Sequence, residues 1–315
     1  MRTDINKRIA VFGFNSLYRC GTSAFMMHLT DRSEWPLIIF NDAGVPLSDD
    51  LPLPENASID LSYKKYEDFG NIVSKFDYVI IAAPKWHGEY DFIDVPSKCQ
   101  TEFSVVVHDL NDFERMNSDL IIKKVSPKNL FYFDSYTGAK IGKYIDTRNV
   151  ILSKLYLPYS RCMMHVSEKC SFDVYVVCSS RDTPSKKHLY LKECLRDFDV
   201  RFLSNGNNGY SWHDAAEIIS NAACSVDLWE LSDKYDSPSY TALDAWNYRT
   251  PFLCLDKNIC GEMISGVNCL VFSRENVELV SEDLYVRMNI INNAETFLNL
   301  HDSARVRSLI TELSA

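Results

Sequence analysis

Apolar residues in this chain fall into short continuous runs separated by polar and turn-forming stretches. In the first half the runs are Ile9–Phe14, Pro36–Phe40, Phe76–Ala83, Phe103–Val107 and Leu130–Phe133. In the second half they are Phe172–Cys178, Val200–Leu203, Ala223–Leu228 and Phe252–Leu255. Runs without polar alternation are what parallel strands buried on both faces require. Between them the pattern shifts to helical spacing. Thr22–Leu29 puts Phe25, Met26 and Leu29 on one face, and Lys187–Phe198 and Trp212–Ala222 follow, the latter capped by Ser211 with Asp214 in its first turn. From Ser281 to Leu313 the chain reads as helical, with Leu284, Met288, Ile291, Ala294 and Leu298 on the buried face. Asn41 to Asp60 reads as a surface loop. Alternating strand and helix predicts an α/β fold with doubly wound parallel sheets.

The stretch Tyr235 to Phe272 has the most specific local pattern. Ser237 or Ser239 can cap a short helix, and Pro238 suits its first turn. Leu243 and Trp246 point inward, and Asp244 can point back toward the helix start. The helix stops at Arg249-Thr250-Pro251, because proline disfavours helical geometry in the residue before it. A buried strand follows. A helix N-terminus beside the carboxyl end of a parallel strand suits an anion.

The length of 315 residues suits two domains. No apolar run approaches the ~20 residues of a membrane span. The charged start, Met1 to Arg8, lacks an apolar signal core, and the ten cysteines include no Cys-x-x-Cys pair. Reduced thiols in a cytoplasmic protein are therefore expected. A net charge of −10 argues against a general nucleic-acid binder. Within it, however, Asp119 to Arg161 is locally basic, with Lys123, Lys124, Lys128, Lys140, Lys143, Arg148, Lys154 and Arg161 against three aspartates. That stretch is either a solvated face or a contact surface for a polyanion.

Three further features stand at strand ends. Gly21 opens a helix after the first strand and allows either phosphate or sugar approach or an ordinary tight turn. His108-Asp109 ends a strand, where open α/β sheets keep active sites; a loop hydrogen bond is the plainer use of the histidine. Arg181 and Lys186 stand at the mouth of the first strand of the second half, as a diphosphate clamp or a basic turn.

Asp236 and Asp244, seven residues apart and followed by Pro251 and a buried strand, resemble the paired acids of retaining glycosyltransferases of the GT-B fold. Gly266-Val267-Asn268-Cys269-Leu270-Val271 is similar to that family's "G-x-N-G-L-L" strand; both acids are Asp where the family usually has Glu. Within the family the nearest likeness is to the α-glucosyltransferases with which T-even bacteriophages glucosylate 5-hydroxymethylcytosine in DNA. It is carried by the Cys20-Gly21 turn with Thr22 and Phe25, the His-Asp pair after "V-V-V", the spacing of Arg181 and Lys186, and Ser239 to Asp244. The resemblance implies two Rossmann-like domains facing a cleft, residues 1–157 and 158–295, with 296–315 crossing back onto the first. It implies a UDP-sugar donor, no obligatory metal, modified double-stranded DNA as acceptor and no membrane. Arg181 and Lys186 would bind the diphosphate, with Gly21, Ser239, Tyr240 and Thr241 lining the donor site. Asp244 would hold the ribose and Asp236 the sugar. His108 would bind the sugar too, and Asp109 would accept the acceptor's proton. Lys123, Lys124, Lys128, Lys140, Lys143 and Arg148 would meet DNA. The same chemistry on a glycan, lipid or small molecule, and a binding protein without turnover, are the alternatives. A Rossmann dehydrogenase fits less well, since no G-x-G-x-x-G follows the first strand.

Overall fold

A computed structural model describes residues 7–14, 21–40, 62–64, 69–82, 100–108, 127–145, 148–161, 175–181, 186–205, 212–228, 236–259 and 261–315. The loop expected over 41–60, Asp109, Lys123, Lys124 and Ser211 lie outside these residues. The first half contains β1 (Ile9–Phe14), α1 (Gly21–Thr30), β2 (Leu37–Phe40), β3 (Ser62–Lys64), α2 (Phe69–Val73), β4 (Tyr78–Ile81), β5 (Glu102–Val107), β6 (Asn129–Tyr132), α3 (Ser135–Tyr144) and β7 (Ile151–Lys154). Its strands form one sheet in the order β3-β2-β1-β4-β5-β6-β7, every pair parallel. The second half contains β8 (Tyr175–Arg181), α4 (Lys186–Cys194), β9 (Asp199–Asn205), α5 (Trp212–Asn221), β10 (Cys224–Asp227), α6 (Tyr240–Asn247), β11 (Phe252–Cys254) and β12 (Leu270–Val271). These strands order as β12-β11-β10-β8-β9, again all parallel. The strand order reverses between β1 and β4 in one sheet and between β8 and β10 in the other, and crevices open at such points.

The apolar runs are the strands because each is covered on both faces. Val79, Ile80 and Ile81 are fully buried, as are Val106 and Val107. Helix α1 is enclosed more completely than its one-sided pattern suggests, with every residue from Ser23 to Thr30 buried. It lies between the first sheet and the end of the chain.

That end comprises α7 (Arg274–Glu282), α8 (Leu284–Leu298) and α9 (Ser303–Ser314), three helices rather than one long one. Asp283 and Asp302 cap the second and third. The buried face of α8 is Arg287, Ile290, Ile291, Ala294 and Leu298. Leu284, expected on that face, is 62% exposed, because it opens the helix beyond the packed zone. Arg287 takes an inward position instead, donating to the carbonyls of Ala222 and Ala223 at 3.1 and 2.6 Å. Helix α9 returns to the first sheet. Arg307 donates to the Leu29 carbonyl at 2.8 Å, and Lys7 and Lys128 donate to the Ser314 carbonyl at the helix's negative end.

The chain crosses between the sheets at Leu155, Leu157 and Tyr159, all buried. The crossing is held on both sides: Leu155 N–H donates to Tyr132 O at 2.8 Å, and Tyr159 N–H donates to His301 O at 2.6 Å.

Candidate functional site

Helix α6 sits beside the switch point of the second sheet. Its cap is Ser239, whose Oγ accepts from the Ala242 amide at 3.3 Å and lies 3.4 Å from Asp227 Oδ2 at the carboxyl end of β10. Since Ser239 rather than Ser237 is the cap, Pro238 lies just outside the helix instead of in its first turn. Leu243 and Trp246 are buried as the spacing requires. The helix ends where Arg249 takes a φ of 55°, so the left-handed turn falls before the Thr250-Pro251 step. Asn268, fully buried, ties the following loop to this helix. Its amide accepts from Ile264 N–H and donates to Glu262 O, and its carbonyl accepts from Trp246 Nε1 at 3.0 Å.

The two aspartates of the motif face different partners. Asp244, on the second turn of α6, accepts from the Tyr159 hydroxyl at 2.8 Å. Burial, with Asp244 adjacent, pushes the Tyr159 hydroxyl well above its ordinary pKa, so it remains a donor. Asp236 reaches across to the first sheet. Its carboxylate accepts from the Ser135 amide at 2.6 Å, the Ser135 hydroxyl at 2.5 Å and Lys154 Nζ at 2.8 Å. Burial alone would raise the Asp236 pKa, but the bonds from Lys154 and Ser135 outweigh it and hold the group below the usual range.

Helix α1 joins the two sides. Its Phe25 meets His108 edge-on at 5.3 Å between ring centroids, and Phe133 lies 5.4 Å from Phe25. One turn on, His28 stacks on Tyr159 at 4.2 Å and on Tyr240 at 5.5 Å. The Tyr240 hydroxyl donates to Pro158 O at 3.1 Å. His28 Nδ1 accepts from Ser160 N–H, and burial pushes its pKa down to about 3, so the ring is neutral.

His108 itself lies at the carboxyl end of β5, half-buried, with Nε2 2.6 Å from the Ala82 carbonyl at the end of β4. Gly21 is the first residue of α1, and a Cβ built there would meet nothing within 4 Å. Arg181 ends β8 opposite Asn205, and Lys186 starts α4. Of the basic residues, Lys140 and Lys143 lie on α3, with Lys140 over the Tyr136 ring at 5.5 Å, and Arg148 is exposed on the turn before β7. Lys128 stands at the opposite, amino end of the first sheet, engaged with Glu102 and the Ser314 carbonyl. Residues 123 and 124 are outside the described residues. Ser135, Lys154 and Tyr159 were not among the sequence candidates. Lys154 appeared only within a charge run, and nothing local marks a serine or tyrosine as facing another domain.

Among the described residues no group of three or more His, Cys, Asp or Glu side chains could hold a metal ion. Nor is any helix long and apolar enough to cross a membrane.

The architecture is similar to that of a solved alpha-glucosyltransferase in complex with UDP. The two agree over 98% of this chain and 100% of that one, with a TM-score of 0.72 at 12% identity. The chain has the GT-B fold. The DNA modifying enzyme beta-glucosyltransferase is also similar, with a TM-score of 0.58 over 96% of this chain and 99% of that one at 8% identity. So is the lipopolysaccharide outer core galactosyltransferase WaaB, with a TM-score of 0.51 over 96% and 99% at 13% identity. No family model and no curated protein matches the sequence. Asp236, Asp244 and Tyr240 bond residues of the first half and of the crossing, while Ser239 faces β10.

Proposed function

We propose that this chain is a retaining glycosyltransferase that moves a sugar from a UDP-sugar to hydroxymethylcytosine-type bases in bacteriophage DNA. The observation that carries this reading is the whole-length likeness to an alpha-glucosyltransferase that binds UDP, joined to a capped helix N-terminus at the second sheet's switch point. The diphosphate sits against the amides of Tyr240 and Thr241, whose helix end carries partial positive charge. Arg181 and Lys186 neutralise the departing phosphate oxygens. Asp244 accepts from the ribose hydroxyls and Asp236 from the sugar. Gly21, with open space in front of its α-carbon, lets the first domain come close to the donor. His108 contacts the sugar, and Asp109 takes the acceptor's proton. The cations of α3 and the turn after it, half-buried Lys140 and exposed Lys143 and Arg148, with Lys123 and Lys124, meet the phosphate backbone.

A second acceptor class has two observations in its favour. The chain carries a net charge of −10, and Lys128 is committed to the C-terminal helix, which weakens the case for DNA and leaves a glycan or small molecule as the alternative. Incubation of hydroxymethylated and unmodified duplexes with a panel of UDP-sugars, followed by mass spectrometry of the released nucleosides, separates the two. The DNA reading predicts a hexose or pentose mass increment on hydroxymethylcytosine alone. Donor hydrolysis without any nucleoside increment would overturn the acceptor while leaving the donor chemistry intact.

A further inference from the structure

Asp236 lies in an irregular segment three residues before the α6 cap, so its own helix does not fix it. Its backbone passes close against Gly261. Gly261 has a φ of 57°, and a Cβ built there would come within 2.3 Å of the Asp236 carbonyl oxygen. Its carboxylate is fixed by the other domain. The Ser135 amide is at the first position of α3, where no intrahelical acceptor exists, and it is spent on Asp236. Asp134 caps that helix by accepting from Thr137 N–H at 2.7 Å, which holds the turn presenting Ser135. Lys154, the last residue of β7, donates to Asp236 at 2.8 Å and to Ser135 Oγ at 3.2 Å. A carboxylate has about four acceptor positions. Three are taken here from the first domain, which leaves room for one ligand hydroxyl.

We infer that Ser135 and Lys154 are positioning residues that orient the Asp236 carboxylate, so that the pocket for the donor's sugar is completed by both domains. The inference rests on the proposed donor chemistry, with Asp236 toward the sugar. Its consequence is selective. The uridine and diphosphate groups meet the second domain, so loosening Asp236 weakens recognition of the sugar and not of UDP.

The test compares affinities for UDP-glucose and for UDP by calorimetry in the unaltered protein, Lys154→Met, Lys154→Arg and Ser135→Ala. Loss of a well-placed hydrogen bond to a charged group costs on the order of 10- to 100-fold in affinity, so Lys154→Met is expected to weaken UDP-glucose binding by roughly that much with UDP affinity unchanged. Lys154→Arg should restore most of the loss. Ser135→Ala keeps the amide and loses only the hydroxyl, so a smaller loss in the same direction is expected. It carries the test alone if thermal unfolding shows that Lys154→Met is unfolded. Equal losses for UDP and UDP-glucose would reduce the contact to a domain clasp and overturn the inference, as would unchanged affinity for both. Absence of binding to either ligand by the unaltered protein would instead overturn the donor reading itself.

Discussion

Asp236 and Asp244 each carry one methylene fewer than glutamate, and each is met by a donor distant along the chain. For Asp244 the donor is Tyr159. Removing that hydroxyl leaves a half-buried carboxylate short of one partner, so Tyr159→Phe is expected to lower stability by about 1–3 kcal/mol, measured as a drop in urea midpoint at unchanged m. At Gly261 backbone conformation and close approach both exclude a side chain. Gly261→Ala should cost about 1–3 kcal/mol or more, and a neutral result would mean that the Asp236 backbone is not held there. Two buried histidines set the acid limit. Burial pushes His28 down to about 3 and His301 to about 4. Unfolded, each binds a proton near pH 6.5, so between that pH and the folded values the unfolded state holds more protons. Stability is therefore full above about pH 6.5 and falls as pH drops, by about 1.4 kcal/mol per histidine per pH unit. Urea midpoints at pH 7 and pH 5 check this, and equal midpoints would contradict it. None of these contacts was legible in the sequence, because each joins residues distant along the chain and tertiary packing alone brings them together.

At the scale of elements the sequence was far more informative. The apolar runs located β1 to the residue and β2, β4 to β6 and β8 to β11 to within a few, since a strand buried on both faces leaves a continuous signature, whereas β3 and β7, the two edges of the first sheet, left none. Helix α6 was legible from its cap, its two buried residues and the proline beyond it. The exact cap was not, because Ser237 and Ser239 satisfy the same local rule and only the tertiary position of Asp227 favours one. The face of α8 was partly misread. Leu284 fits helical spacing but lies past the packed zone, while Arg287 is buried because carbonyls left open by β10's lead-in accept its protons. Ser239→Ala should destabilise α6 by about 1 kcal/mol through loss of the cap. On the proposed function it should also weaken UDP binding, as it frays the amides that receive the diphosphate. A stability loss without any change in UDP affinity would remove α6's first turn from the donor site.

For the molecule as a whole, alternation of strand and helix was enough to indicate doubly wound parallel sheets, and the Asp236/Asp244 spacing pointed to the GT-B arrangement. The way the halves are tied was not visible. Helix α9 docks on α1 and receives Lys7 and Lys128 at its carboxyl end, the Leu155–Tyr159 crossing runs between the sheets and the final helices, and α1 touches both His108 and Tyr240 through Phe25 and His28. Together these make α1 a packing element shared by both halves. The central proposal is that the two halves bind a sugar nucleotide by its diphosphate, through α6, Arg181 and Lys186. Calorimetric titration with UDP of the unaltered protein and of Lys186→Ala tests it most directly. Saturable one-to-one binding, weakened roughly 10-fold or more by loss of the charge-assisted contact, is the result expected; no heat of binding in the unaltered protein, or an identical isotherm in the variant, would contradict it.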